Sequence, residues 1–102
     1  MSSQGTNDST AIGMRALCSQ TTGSNNTSVG YSSMCGVTTG VCNTSIGRLS
    51  GRITSTGDNN ASLGYDANPS AFGSNNQITL GNSNNTNLRC ADTSISTLSD
   101  LR

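Results

Sequence analysis

The sequence predicts an all-β fold, a parallel β-roll or β-solenoid built from 17-residue coils, and three observations carry that prediction. First, a five-residue phrase ending in glycine recurs as Ser9-Thr10-Ala11-Ile12-Gly13, Asn26-Thr27-Ser28-Val29-Gly30, Asn43-Thr44-Ser45-Ile46-Gly47, Asn60-Ala61-Ser62-Leu63-Gly64 and Gln77-Ile78-Thr79-Leu80-Gly81. Second, the glycines stand 17 residues apart without insertion. A fixed period of this kind marks an architecture whose units bury their apolar faces only by stacking on one another. Third, the phrase alternates with period two, and the density of Gly, Asn, Ser and Thr opposes helix.

Taken in order, residues 1–6 are polar and expected to fray, and five coils follow at 7–23, 24–40, 41–57, 58–74 and 75–91. In each phrase the positions one and three before the glycine share a strand face, and they are expected to point inward. Ile12, Val29, Ile46, Leu63 and Leu80 then form the core ladder. Gly13, Gly30, Gly47, Gly64 and Gly81 are the structural corners, where positive φ is needed. A second glycine column at 23, 40 and 57 predicts a second corner, so each coil reads as two strands, one short arm and one longer arm. The Asn pairs 25/26, 59/60, 75/76 and 84/85 suit turns between them. Pro69 belongs at a bend or an exposed edge. From Asp92 the repeat stops, and Ile95, Leu98 and Leu101 recur in a Ser/Thr-rich tail that reads either as a strand ending or as a helix start with Thr97 as cap and Asp100 three residues later.

Composition explains why one copy is poorly suited to stand alone. Leu (7), Ile (5), Val (3) and Phe (1) make up only 16 of 102 residues, so the core is small and oligomerisation is a usual remedy. Five Arg balance five Asp, and no basic run exists to attract nucleic acid or an anionic membrane. No stretch approaches the ~20 apolar residues of a membrane span, so membrane insertion is not expected. Cys18, Cys35, Cys42 and Cys90 lack the spacing of a metal site, and no His completes one. Cys18 and Cys35 are 17 apart and so share a column. Two small thiols buried in the core are the simpler expectation, and a disulfide between adjacent coils is the alternative.

Neither a metal nor any other cofactor is expected. With no His, Lys or Glu, acid–base chemistry would rest on Asp8, Asp58, Asp66, Asp92 and Asp100; the three within the coils share no column, and all five read as solvated loop acids. The Asn-X-Ser/Thr sequons at Asn7, Asn25, Asn26, Asn43, Asn60 and Asn84 are by-products of the repeat. The column after the corner glycine is Met14, Tyr31, Arg48, Tyr65 and Asn82. If it points outward, Tyr31, Arg48 and Tyr65 form a receptor-binding ladder; otherwise they cover a seam between subunits.

The repeated phrase resembles the head repeats of trimeric autotransporter adhesins and the related β-rolls of phage and virus fibres, although the bacterial unit is usually shorter. Asn76-Gln77-Ile78-Thr79-Leu80-Gly81-Asn82, then Asn87-Leu88-Arg89-Cys90 and Ser96-Thr97-Leu98-Ser99-Asp100-Leu101-Arg102, resembles the junction of viral tail fibres with an intramolecular chaperone of the endosialidase type. In that family the Ser of the Ser-Asp pair is the self-cleavage nucleophile, acting with a Lys five residues on. Ser99 matches it, but the Lys would fall beyond Arg102, so Ser99 is expected to be inert here. The resemblance implies a homotrimer on a virion fibre, made in the host cytoplasm and extracellular when functional, with 92–102 opening a chaperone domain that this chain lacks. The expected function is structural and adhesive, without enzyme activity, and directed at a host surface glycan or protein. The alternatives are a bacterial trimeric adhesin head and, less favoured, a β-solenoid carbohydrate-processing enzyme.

Overall fold

The 17-residue period becomes a stack of coils in a computed structural model that describes residues 8–92, 94 and 96. Each phrase supplies one three-residue strand: β1 (Thr10–Ile12), β2 (Thr27–Val29), β3 (Thr44–Ile46), β4 (Ala61–Leu63) and β5 (Ile78–Leu80). They form one parallel sheet in sequence order, and every residue pairs with the one 17 positions later, as Thr27 does with Thr44 and Val29 with Ile46. β-branched Thr, Ile and Val favour the extended pleat, and the corner glycine ends it. At Gly47, φ is +133° and an added Cβ would lie 2.6 Å from the Gly64 carbonyl oxygen, so both conformation and space demand glycine.

The faces of the strand are the reverse of the expectation. The middle residue points inward: Ala11, Ser28, Ser45 and Ser62 are buried. Ile12, Ile46, Leu63 and Leu80 lie outside at 44–58% exposure, and Val29 is half-buried. The sequence-based core ladder is therefore an outer ladder within the single chain. A period-two pattern defines two faces without saying which is inside, and here the longer arm packs directly on the middle strand position, where Ser28 Oγ donates to the Ser33 carbonyl at 2.8 Å and a Cβ on Gly51 would run into Ser45 Oγ, so a column of Ile and Leu does not fit there. Its apolar cluster is small, comprising Ala11, Ala16, Leu17, Met34 and Val37.

Hydrogen bonding fills the rest of the interior. The first position of the phrase forms a buried asparagine ladder through Asn26, Asn43 and Asn60, each at most 3% exposed. Asn43 donates its own N–H to Asn26 Oδ1 at 2.9 Å, and Nδ2 donates to the same oxygen at 3.1 Å and to the Gly57 carbonyl at 2.8 Å. Its Oδ1 in turn accepts from the N–H and Nδ2 of Asn60, at 2.9 and 3.1 Å. Ser9 and Gln20 close the upper end, where Asn26 N donates to Ser9 Oγ and Asn26 Nδ2 to Gln20 Oε1. At the lower end, Gln77 N donates to Asn60 Oδ1. Buried amides must find such partners, and a ladder provides them by translation from coil to coil.

The ladder also explains the second glycine column. Gly23, Gly40 and Gly57 do not have positive φ; their constraint is closeness, since a Cβ on Gly40 would run into the Gly57 carbonyl. The Asn amides bind the carbonyls of that column: Asn26 takes Gly40, Asn43 takes Gly57 and Asn60 takes Ser74. Asn25, Asn59 and Asn76 occupy the left-handed conformation just before the ladder, as turn residues should.

The longer arm contains no second strand among the described residues. Positive φ recurs at alternate positions there, as at Arg15 and Leu17 or Ser32 and Met34, so the backbone does not run as an extended strand. It still bonds to the neighbouring coil, with Met34 N donating to Ser50 O at 2.8 Å and Leu49 N to Tyr31 O at 2.9 Å. Leu17, Met34 and Val37 point inward on this arm, Pro69 is buried, and Phe72 is exposed.

Five strands define four complete turns. After β5 the columns are lost: Asn82 N donates to Asn85 Oδ1 at 2.7 Å in a tight turn, and residues 83–92 are exposed. The fifth coil expected at 75–91 thus begins in register but does not close: Asn84 and Asn85 are exposed where Ala16, Leu17, Ser33, Met34, Ser50 and Ala67 are buried in the earlier coils, and amide side chains longer than Ala or Ser prefer water unless paired. Residues 1–6, the possible cap at Thr97 and Asp100, the Ile95, Leu98 and Leu101 repeat, and Ser99 lie outside the described residues.

Candidate functional site

Two outward columns, set by the same 17-residue register, carry the large exposed side chains. On the sheet face the aliphatic ladder runs beside Thr10, Thr27, Thr44, Ala61 and Ile78, and Ile78 is 78% exposed. Between the last three rungs lies a shallow groove of about 260 Å³ lined by Ile46, Leu63, Ile78 and Leu80. A contiguous apolar strip on a domain this small is a surface built for contact.

Immediately after the corner glycines stand Tyr31, Arg48 and Tyr65, and the structure brings all three together on the outside. The Arg48 guanidinium carbon lies 5.6 Å from the Tyr31 ring centroid and 5.5 Å from that of Tyr65. This sandwich is the geometry of a double cation–π contact, and the parallel register produces it without any other support. Met14 continues the column above, 71% exposed, while Asn82 Nδ2 binds the Tyr65 carbonyl below.

Register did not reveal the adjoining surface. Arg52 Nε donates to Asp66 Oδ1 at 2.9 Å, and this bond, with Asn68 Nδ2 at 2.8 Å from the same oxygen, holds the Asp66 carboxyl below the ordinary carboxylate value. Arg52 and Asp66 are 14 residues apart and share no column, so their pairing left no periodic signal. Arg15, Tyr31, Arg52, Ile53 and Phe72 line a groove of about 470 Å³ beside the pair.

The cysteines depart from the simpler expectation. Cys18 is exposed, Cys35 is half-buried, and the two form a disulfide across adjacent coils with Cα atoms 5.0 Å apart. Adjacent rungs of a parallel stack fall within disulfide reach, so a shared column suffices. Cys42 and Cys90 are free and exposed. Among the described residues, no helix is long and apolar enough to cross a membrane. The ladder asparagines Asn26, Asn43 and Asn60 are buried, so their sequons are closed to modification in the folded chain.

No family model, no curated protein and no solved structure matches this chain.

Proposed function

We propose that this chain is a structural, receptor-binding segment of a viral or phage fibre, assembled as a homotrimer along the aliphatic ladder. One observation carries the reading. A coil whose strand faces inward with Ala and Ser, beside a buried Asn ladder, leaves Ile12, Ile46, Leu63 and Leu80 exposed and Val29 half-buried in one register along the sheet. Three such sheets facing one axis would convert the exposed columns into a shared core. Covering the remaining surface of each rung contributes about 1 kcal/mol, or on the order of 5 kcal/mol per chain. The chain adds a shared core to its own small apolar cluster, and backbone ladders along the stack supply stiffness. Tyr31, Arg48 and Tyr65, past the corner from the sheet face, are the residues available to a host glycan or protein. The junction-like C-terminal sequence favours a virion fibre over a bacterial adhesin head, and folding is then assisted by a downstream chaperone.

The test is sedimentation equilibrium. The wild-type chain is expected at three times 10.4 kDa, about 31 kDa, and the double variant Ile46→Asp/Leu63→Asp at 10.4 kDa. A folded wild-type monomer at micromolar concentration rejects the assembly.

A further inference from the structure

We infer that the Tyr31–Arg48–Tyr65 ladder is a binding site for a carboxylated saccharide, an inference that rests on the receptor-binding reading above. The argument begins with charge. The chain is formally neutral, yet Arg15, Arg48 and Arg52 lie on the side of the coil that follows the strands, opposed there, among the described residues of the four turns, by Asp66 alone, for a local balance of +2. All strands are parallel, so the ends that precede them share the opposite side. Asp8 and Asp58 are there, and Asp58 is occupied in accepting the Val41 N–H at 2.9 Å. Charge is therefore segregated along the strand direction and complements an anion at one end.

Arg48 is the residue prepared to use it. Asp66 is engaged by Arg52, and no carboxylate among the described residues pairs with Arg48. The two tyrosine rings flank its guanidinium, whose carbon lies 5.6 and 5.5 Å from their centroids, and restrict where it can move. A guanidinium restrained in this way loses little freedom when its edge donates two parallel hydrogen bonds to a carboxylate. The ring surfaces of Tyr31 and Tyr65, residues that are 41% and 53% exposed, can accept the C–H face of a pyranose. Next to them, the groove lined by Ile53 and Phe72 has room for a further sugar residue. Amphipathic rings beside a fixed cationic fork match a sugar acid better than a neutral sugar, which leaves the fork unpaired, or a simple anion, which leaves the rings bare.

Binding of oligogalacturonate to the full chain, followed by NMR titration of the Arg48 side-chain N–H signal, tests this, with neutral malto-oligosaccharide and dextran sulfate, which is anionic but carries no carboxylate, as parallel probes. Oligogalacturonate is expected to bind at least about tenfold more tightly than the neutral oligomer, and Arg48→Met, which keeps an apolar stem between the rings, is expected to lose about tenfold or more without a change in thermal unfolding. Tyr65→Ala should weaken binding as well. Equal binding of the neutral oligomer, undiminished binding by Arg48→Met, no binding of oligogalacturonate, or equal or tighter binding of dextran sulfate overturns the inference. Sedimentation of the same samples separates the two claims: a trimer indifferent to sugar acids loses only this ligand, whereas a monomer of 10.4 kDa rejects the fibre reading itself.

Discussion

Replacing Asn43 by Ala tests whether a polar ladder holds the coil together. The side chain makes four hydrogen bonds: Nδ2 donates to Asn26 Oδ1 and Gly57 O, and Oδ1 accepts from Asn60 N and Nδ2. Two groups retain other partners, because Asn60 Nδ2 still reaches Ser74 O and Asn26 Oδ1 still accepts the main-chain N–H of residue 43. The Asn60 N–H and the Gly57 carbonyl are left without the amide that served them. At about 1–3 kcal/mol for each buried group left unsatisfied, the loss is about 4 kcal/mol, a large part of the ~5–15 kcal/mol that holds a domain folded. Asn84→Ala is the control: it is exposed, and its side chain makes no comparable bond, so its effect should stay within about 0.5 kcal/mol. Urea unfolding followed by circular dichroism, at one fixed protein concentration because assembly is linked to stability, measures both. A loss below about 1 kcal/mol for Asn43→Ala, or one equal to the control, refutes the ladder as the element that organises the interior.

Other substitutions probe the corners and the cross-links. Gly47→Val should cost about 3 kcal/mol or prevent folding in the same unfolding assay, since φ of +133° and the Gly64 backbone both exclude a side chain. Cys42→Asn should raise stability by about 1 kcal/mol in thermal unfolding, because φ of 60° places Cys42 in the left-handed conformation that Asn25 and Asn59 occupy on either side. Reducing Cys18–Cys35, or replacing both by Ser, should lower stability by about 3 kcal/mol, the loop-closure contribution of a bridge spanning 17 residues, visible as a fall in the urea midpoint.

Much of this architecture was legible because translation leaves a periodic trace. The register of Ile12 on Val29 and Ile46 on Leu63, the strand positions, the first glycine column and the Tyr31–Arg48–Tyr65 stack all follow from one number, the 17-residue period. What the period could not convey was direction. Thr44-Ser45-Ile46 alternates equally well with Ser45 outside, and only the packing of the longer arm on the middle position decides. The signal that could have decided it is the column at Ser9, Asn26, Asn43, Asn60 and Gln77, a series of hydrogen-bonding side chains suited to satisfying carbonyls in a narrow interior. The longer arm was harder for a different reason. Its left-handed positions hold Arg15, Ser32, Leu49 and Asp66, which share no chemistry that marks a turn, so backbone bonds between coils impose the conformation. Arg52–Asp66 and the groove at Phe72 arise once in the stack and leave nothing to align.

The central claim is that the aliphatic column lies outside each coil and inside the assembly. Isotope-filtered NOE spectroscopy on a mixture of labelled and unlabelled chains tests both halves together. The account expects intermolecular contacts at the methyl groups of Ile12, Val29, Ile46, Leu63 and Leu80 and none at Met34 or Val37, which are fully buried within one chain. Intermolecular contacts at Met34 and Val37, or their absence along the aliphatic column, would contradict it.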